Sequence, residues 1–450
     1  MRNAIVKRFV QGAFGSSSRL RSRSAIATAT TSPIALSSRQ YAASASLAQE
    51  VAEIVVFPRE GPGVSYGLNW ALAGRGVIVK DKAFLNLKPS ELLQKGATTS
   101  ETLSGLPVHV RGNAVGGTSE ISKAQFSKLL KQVTTHISSI PNVFVQDGAV
   151  GSSLKYDAKV RVISDSPSAV LSLSNVLFGT PSRAISHDSC PLTVYVATSL
   201  SPSTADIIGL GSQANGGFIA ADIERSSLIL CGKAFSDIKG TKDALAALAG
   251  PVISARGGLP LSARLLVSGE SVILLFAPED TLQSCSDLLV SADAGVILSS
   301  QGVAPFFQTR DSGSPNLFKL PAAVVLASVD SSGTIPSLSK LSSGQAAYHF
   351  LAGYQSGKFV PVYGKCPSAI DPLELAKAFL SKMTEIQLPS FLINLSEGEK
   401  KVTGMELIKL AESTLSKNIS PFESKAGDLQ SKYQSFISGK YQELPEEFLF

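Results

Sequence analysis

A chain of 450 residues with 44% hydrophobic and 17% charged side chains has the composition of an ordinary globular protein, long enough for two domains and a sizeable core. No stretch approaches the about 18 uninterrupted apolar residues of a membrane span. Four cysteines, Cys190, Cys231, Cys285 and Cys366, are scattered with no C-x-x-C spacing and no histidine at ligand distance, which argues against a metal or redox centre and for buried thiols in a reduced compartment.

The formal net charge of +6 belongs to the N-terminus. Arg2, Lys7, Arg8, Arg19, Arg21, Arg23 and Arg39 are the only charged residues before Glu50, set among serine, alanine and the apolar Ile5, Val6, Phe9, Val10 and Phe14. That pattern predicts a mitochondrial transit peptide over residues 1–45, with a plastid leader as the alternative. Seven positive charges removed from +6 leave the mature chain at about −1, which argues against nucleic acid as a partner.

After the leader, Val51–Val56 and Gly76–Val79 read as strand-like, and a helix is expected from Pro89, where proline is tolerated in the first turn and Glu91 complements the dipole. Ala158 to Ile163 has the alternation of a half-buried strand. The glycine-rich Ile208–Gly217 does not have the G-x-G-x-x-G spacing of a dinucleotide loop and reads as a polar loop. Near the C-terminus, Asp371-Pro372-Leu373-Glu374 and Thr403-Gly404-Met405-Glu406 form capping boxes. The first opens a helix with Leu373, Ala376, Phe379, Leu380 and Met383 on one face, the second a helix with Met405, Ile408, Ala411 and Leu415 on one face.

The stretch with the strongest chemical implication is Gly269 to Leu282. Val272–Phe276 is a short run of branched apolar residues between Gly269 and Pro278, the pattern of a buried central strand. Such a strand delivers a phosphate cradle when it opens into G-x-x-x-x-G-K-[ST], where backbone amides approach the oxygens, lysine offsets charge and a hydroxyl holds the metal. Here the turn reads Ala277-Pro278-Glu279-Asp280-Thr281, with no glycine or lysine, with two carboxylates, and with a proline that removes a donor. It would repel a triphosphate.

These elements, in this order, resemble ATP-dependent phosphoenolpyruvate carboxykinase. The likeness is strongest at Asp330-Ser331-Ser332-Gly333-Thr334-Ile335-Pro336-Ser337-Leu338-Ser339-Lys340-Leu341 and at Gln345 to Tyr354. Asn86 to Leu93, Val143 to Ile163, Ser172 to Gly179 and Leu259-Pro260-Leu261 carry it elsewhere. The resemblance implies a mixed α/β two-domain fold, with an N-terminal domain at 50–258 and a shortened nucleotide-binding-type domain at 259–450. It also implies where chemistry ought to lie, and those positions have changed. The substrate arginine falls on Gly117 or its neighbour, with Arg111 nearby reading as an isolated surface side chain. A lysine pair is reduced to Lys239. The metal-ligand motif becomes Ser262-Ala263-Arg264. The segment carrying the metal carboxylates is largely missing, with Thr309-Arg310 an unsupported remnant, and the adenine-contacting arginine aligns with Lys400-Lys401-Val402. His109, His136, His187 and His349 lie singly, as surface or satisfied core residues would.

The residues therefore give no catalytic, cofactor-binding or metal-ligating assignment and no cofactor. The expectation is a catalytically inactive relative of the carboxykinases in the mitochondrial matrix or on the matrix side of the inner membrane. It would be a structural or accessory subunit of a protein assembly, as a homo- or hetero-oligomer. The alternatives are an active ATP-dependent carboxykinase acting on oxaloacetate, or a regulatory partner of one. Residual ligand binding through Arg111, Lys239 or Arg264 is a third class.

Overall fold

The computed structural model describes residues 60–99, 101–112, 119–180, 190–200, 204, 209–210, 216–290, 292, 294–309, 315–355, 357–359, 368–397, 400–416, 418–424 and 428–450. The expected leader, the Val51–Val56 segment, Gly117, His187, Arg310, Cys366 and most of the 208–217 loop lie outside these residues.

Runs of branched residues build two principal sheets. The larger comprises β1 (Lys82–Leu85), β2 (Val108–Arg111), β3 (Ser119–Glu120), β4 (Asn142–Val150), β5 (Ala158–Ser164), β6 (Phe178–Gly179), β7 (Leu192–Ala197), β8 (Gly217–Asp222) and β9 (Ser227–Gly232). Its order is β1-β4-β5-β7-β9-β8-β2-β3, with β6 on β4. β5, β7 and β9 run parallel, while β4 and β8 flank them antiparallel. Alternate residues point to opposite faces, so Val160, Val162, Val194 and Leu230 enter one core cluster and Ile163, Tyr195 and Ile229 another. The helices α1 (Tyr66–Ala73), α2 (Pro89–Gln94), α3 (Lys123–Ser139), α4 (Pro167–Ser174) and α5 (Ile238–Ala255) accompany this sheet. Ser122 caps α3 in a reciprocal box with Gln125, and Asp237 caps α5.

The second half contains β10 (Leu259–Leu261), β11 (Arg264–Ser268), β12 (Ser271–Phe276), β13 (Leu289–Val290), β14 (Val296–Ser299), β15 (Gly302–Pro305), β16 (Ala323–Ser328) and β17 (Leu338–Leu341). A small hairpin follows, β18 (Tyr354–Gln355) with β19 (Lys358–Phe359), and then β20 (Ser390–Asn394). Six of these strands form a sheet in the order β13-β11-β12-β16-β20-β17. Val272 to Phe276 is central in it, as expected: β12 pairs with β11 on one side and runs parallel to β16 on the other.

The helices of this half are α6 (Glu279–Gln283), α7 (Ser343–Leu351), α8 (Pro372–Glu385), α9 (Gly404–Ser413) and α10 (Leu429–Lys440). Leu274, Phe276, Leu326 and Leu392 share a core cluster with Phe350 and Phe379 of α7 and α8. Ile273, Leu275, Val325 and Ile393 face the other way, toward Leu407, Ile408 and Ala411 of α9. The whole is a mixed α/β architecture. The expected division at 258/259 falls between α5 and β10, but the described residues from 60 onward form one compact unit. Ala294, Ile297, Phe306 and Phe307 of the later half join the core of the larger sheet.

Local expectations were met unevenly. The helix at Pro89 and the capping box at Thr403 are present. Gly76–Val79 contains no strand. Asp371 caps α8 through the amides of Leu373 and Glu374, but Glu374 does not close the box and pairs with Lys377 instead. On α9 the buried face is Gly404, Leu407, Ile408 and Ala411, while Met405 is exposed. Gly404 lies so close to Ser284 and Cys285 that an added Cβ would sit 2.3 Å from Ser284 Oγ, which sets α9 against the turn after β12.

Candidate functional site

Ligands of open α/β sheets bind in the crevice outside the carboxyl ends of the parallel strands. In the six-stranded sheet those ends are Phe276, Ser328 and Asn394, from β12, β16 and β20. At each end one side chain, Glu279, Asp330 or Asn394, is bonded within the fold.

After β12, Pro278 leads into the single turn of α6 with Glu279 and Asp280 in its first positions. Arg264, at the start of the neighbouring strand, reaches Glu279 with Nη2 3.2 Å from Oε1 and 3.3 Å from Oε2, and donates Nη1 to the Ala292 carbonyl at 3.2 Å. The guanidinium is 15% exposed and the carboxylate 35%. The position that aligned with a metal-ligand motif and the position that aligned with a phosphate loop are thus joined by an ion pair. A cation and an anion matched to each other leave little field for a polyphosphate.

After β16, Asp330 accepts from the Ser332 amide and hydroxyl on one oxygen and from the Ile335 amide on the other. Asn394 accepts from the amides of Asp330 and Ser396 and donates to the carbonyls of Asp330 and Ile335. These buried groups spend their bonding capacity on holding the turn, as buried polar groups must. The resemblance motif at Asp330 to Leu341 is therefore a structural joint between strand ends.

In the first half, Arg111 corrects the reading of an isolated surface arginine. It is buried, with Nη1 2.6 Å from Asp222 Oδ1 and Nη2 2.5 Å from Glu224 Oε2, and the two carboxylates raise its pKa further. Lys239 is exposed at the second position of α5. Two of the histidines differ from expectation as well. His109 and His349 are buried with neither ring nitrogen hydrogen-bonded, and burial pushes His349 down to about 3. His349 is enclosed instead by the rings of Tyr348, Phe422, Tyr433 and Phe450.

Two polar groupings escaped the sequence reading. Arg161, fully buried on β5, is held by Asp147 through Nε and Nη2, both at 2.7 Å. The alternation read as half-buried is buried throughout, because Asp147 and Asp157 supply partners for Arg161 and Lys159. Beyond the ends of β5 and β7, Asp165 receives the amides and hydroxyls of Thr198 and Ser199. His136 Nε2 lies 3.1 Å from Asp165 Oδ2 and 3.0 Å from Ser199 Oγ. Burial opposes the Asp165 charge, but these donors outweigh it and hold the carboxyl below its usual range. This is not a nucleophilic triad: one imidazole nitrogen faces both partners, and Ser199 gives its hydrogen to the carboxylate.

Among the described residues no group of three or more His, Cys, Asp and Glu side chains is placed to hold a metal ion, and no helix is long and apolar enough to cross a membrane.

The described residues form a mixed α/β protein with two principal sheets. The family model described as phosphoenolpyruvate carboxykinase matches residues 301–414, from β15 to the end of α9. A phosphoenolpyruvate carboxykinase (ATP) of Brevibacillus brevis is 21% identical over 399 residues, covering 71% of this chain and 74% of the relative. A phosphoenolpyruvate carboxykinase (ATP) of Leptospira biflexa is 32% identical over 87 residues, 16% of each chain. Together these matches support membership of the ATP-dependent phosphoenolpyruvate carboxykinase family, at low identity.

Proposed function

We propose that this chain is a catalytically inactive carboxykinase-like protein that serves as a structural or accessory subunit of a mitochondrial protein assembly. The observation that carries the reading is the Arg264–Glu279 pair at the end of β12. Carboxykinase chemistry needs a metal to bridge phosphoryl oxygens and enolate, and fixed cations to offset transferred charge. A turn with two carboxylates and no lysine, beside an arginine in the metal-ligand position, opposes both requirements. Each lost contributor is worth several kcal/mol of transition-state stabilisation, so losing several together removes most of the rate enhancement.

The mitochondrial part of the proposal rests on the arginine-rich, acid-free N-terminal 49 residues. The subunit role rests on the contrast between a site that opposes the chemistry and an intact scaffold, in which Asp330 and Asn394 join the strand ends and both sheet cores are packed. Its partners would be proteins, in a homo- or hetero-oligomer. The alternatives are a regulatory partner of a carboxykinase and an active ATP-dependent carboxykinase, the latter favoured by the names of its relatives. Metal- and ATP-dependent decarboxylation of oxaloacetate by the purified mature chain is the test. The proposal expects no turnover above buffer, and saturable turnover abolished by removing ATP would replace it with the active enzyme.

A further inference from the structure

His349, on α7, is 2% exposed and has neither ring nitrogen hydrogen-bonded. Its walls are rings: Tyr348 of its own helix, Phe422 where the chain returns to β17, Tyr433 of α10, and Phe450, with centroids between 5.3 and 6.1 Å away. A cage of this kind accepts a neutral imidazole and excludes a charged one, since a buried ion without a partner costs several kcal/mol. The charged side chains on the surrounding elements, Lys340, Glu423, Lys432, Lys440, Glu446 and Glu447, are exposed. Burial alone acts on the ring and pushes it down to about 3. The two phenols that face it, Tyr348 and Tyr433, are pushed up by burial and stay neutral.

The four walls are not held equally. Tyr348 and Tyr433 stand on helices. Phe422 is fixed to β17 by backbone bonds in both directions, its amide to the Lys340 carbonyl at 2.8 Å and the Lys340 amide to the Ser420 carbonyl at 2.9 Å. Phe450 belongs to the segment 444–450, whose backbone hydrogen bond among the described residues is internal, from the Phe448 amide to the Pro445 carbonyl. That segment holds on through apolar contact: Phe448 is buried, and Leu444 and Phe450 are half-buried against the core, while Glu446, Glu447 and Leu449 are exposed. It lies directly on α7, where the Glu447 carbonyl leaves no room for a side chain at Gly344. The wall with the weakest hold is the one that gives way first.

We propose that the segment 444–450 is an acid-released strap: protonation of His349 lifts Phe448 and Phe450 from α7 while both sheets stay folded, and uncovers an aromatic surface of Tyr348, Phe422 and Tyr433. The sign follows from where the proton can bind. The closed cage excludes it, and the open one admits it at the ordinary histidine value near 6.5. The strap is therefore closed above that pH and opens as pH falls, with the ratio of open to closed rising about tenfold from pH 7.5 to pH 5.5. The device involves none of the residues at the end of β12 and does not depend on whether the protein is an enzyme or a subunit.

The test is hydrogen exchange of the full chain at the same two pH values, corrected for the intrinsic rate and resolved by segment. Protection around Phe448 should fall about tenfold at the lower pH, while that of β16 and β20 holds. His349→Phe, which keeps a ring in the cage and removes the proton site, should abolish the fall. Phe450→Ala leaves the sheets untouched and keeps the test open if His349→Phe does not fold: it should raise the pH at which protection around Phe448 is lost. Protection around Phe448 that does not change with pH, or that falls equally in His349→Phe, overturns the inference. So does a fall shared equally by β16 and β20, because the opening is then global, and so does a Phe450→Ala profile identical to the native one.

Discussion

Removing the carboxylate of Asp147 should strongly destabilise the fold. Arg161 has no exposed surface and engages Asp147 with two hydrogen bonds of 2.7 Å, while Asp147 itself is 17% exposed. A second cation already acts on the same region: burial first, and then the charge of Arg161, lowers the Arg75 pKa. Asp147→Ala therefore leaves a buried guanidinium without its paired carboxylate and beside a second cation. Breaking a buried pair from one side costs about 3–5 kcal/mol. The matched control is Glu270→Ala, which removes a pair with Lys319 whose side chains are 92% and 73% exposed. Such a pair contributes about 0–1 kcal/mol. Urea unfolding followed by circular dichroism measures both midpoints. Arg161→Met combined with Asp147→Leu should recover most of the loss, since apolar replacement of both partners removes the uncompensated charge. If Asp147→Ala destabilises no more than Glu270→Ala, the buried pair does not hold β4 to β5 as argued.

Three further outcomes follow from the structure. His349 is neutral in the fold, and burial lowers its pKa to about 3. The unfolded chain then binds the extra proton first, so this group's stability contribution is full above the unfolded value near 6.5 and is lost as pH falls. The loss by pH 4.5 is about 2–3 kcal/mol, and His349→Phe should flatten that part of the stability–pH curve. Gly344→Ala would place a Cβ 1.7 Å from the Glu447 carbonyl. It should displace the C-terminal segment from α7 at a cost of about 1–3 kcal/mol, seen as lost hydrogen-exchange protection around Phe448. Trp70, the sole tryptophan, is 79% exposed. Its fluorescence should be water-like in the isolated folded protein and shift blue only if that face is covered by a partner.

Much of the frame was legible because local rules suffice for it. Val272–Phe276 could be recognised as a central strand from branched residues between Gly269 and Pro278, and the Thr403 box from spacing alone. What was not legible depended on partners distant in sequence. Lys159 and Arg161 read as the wet side of a half-buried strand, since nothing local reveals that Asp157 and Asp147 neutralise them inside. Arg111 read as a surface residue because its carboxylates arrive from the end of β8, over a hundred positions away. Met405 fits an apolar stripe by period, yet the close approach of Gly404 to Ser284 turns the helix so that Leu407 is buried and Met405 faces outward.

The site was legible in a different sense. The loss of glycine and lysine after β12 is visible in the letters Ala277-Pro278-Glu279-Asp280-Thr281, but the fate of Arg264 is not. The sequence suggests only that an arginine opposes a metal there. The fold adds that β11 and β12 pair antiparallel and bring that arginine onto Glu279.

The central claim is that the carboxykinase scaffold now serves as part of a mitochondrial assembly. Native electrophoresis of gently solubilised mitochondria, followed by mass spectrometry of the band that contains this chain, tests it most directly. The account predicts co-migration with a large complex and names its neighbours from the same band. Migration near the 47.0 kDa of the full chain or somewhat below it, with no co-migrating protein, would contradict the subunit role.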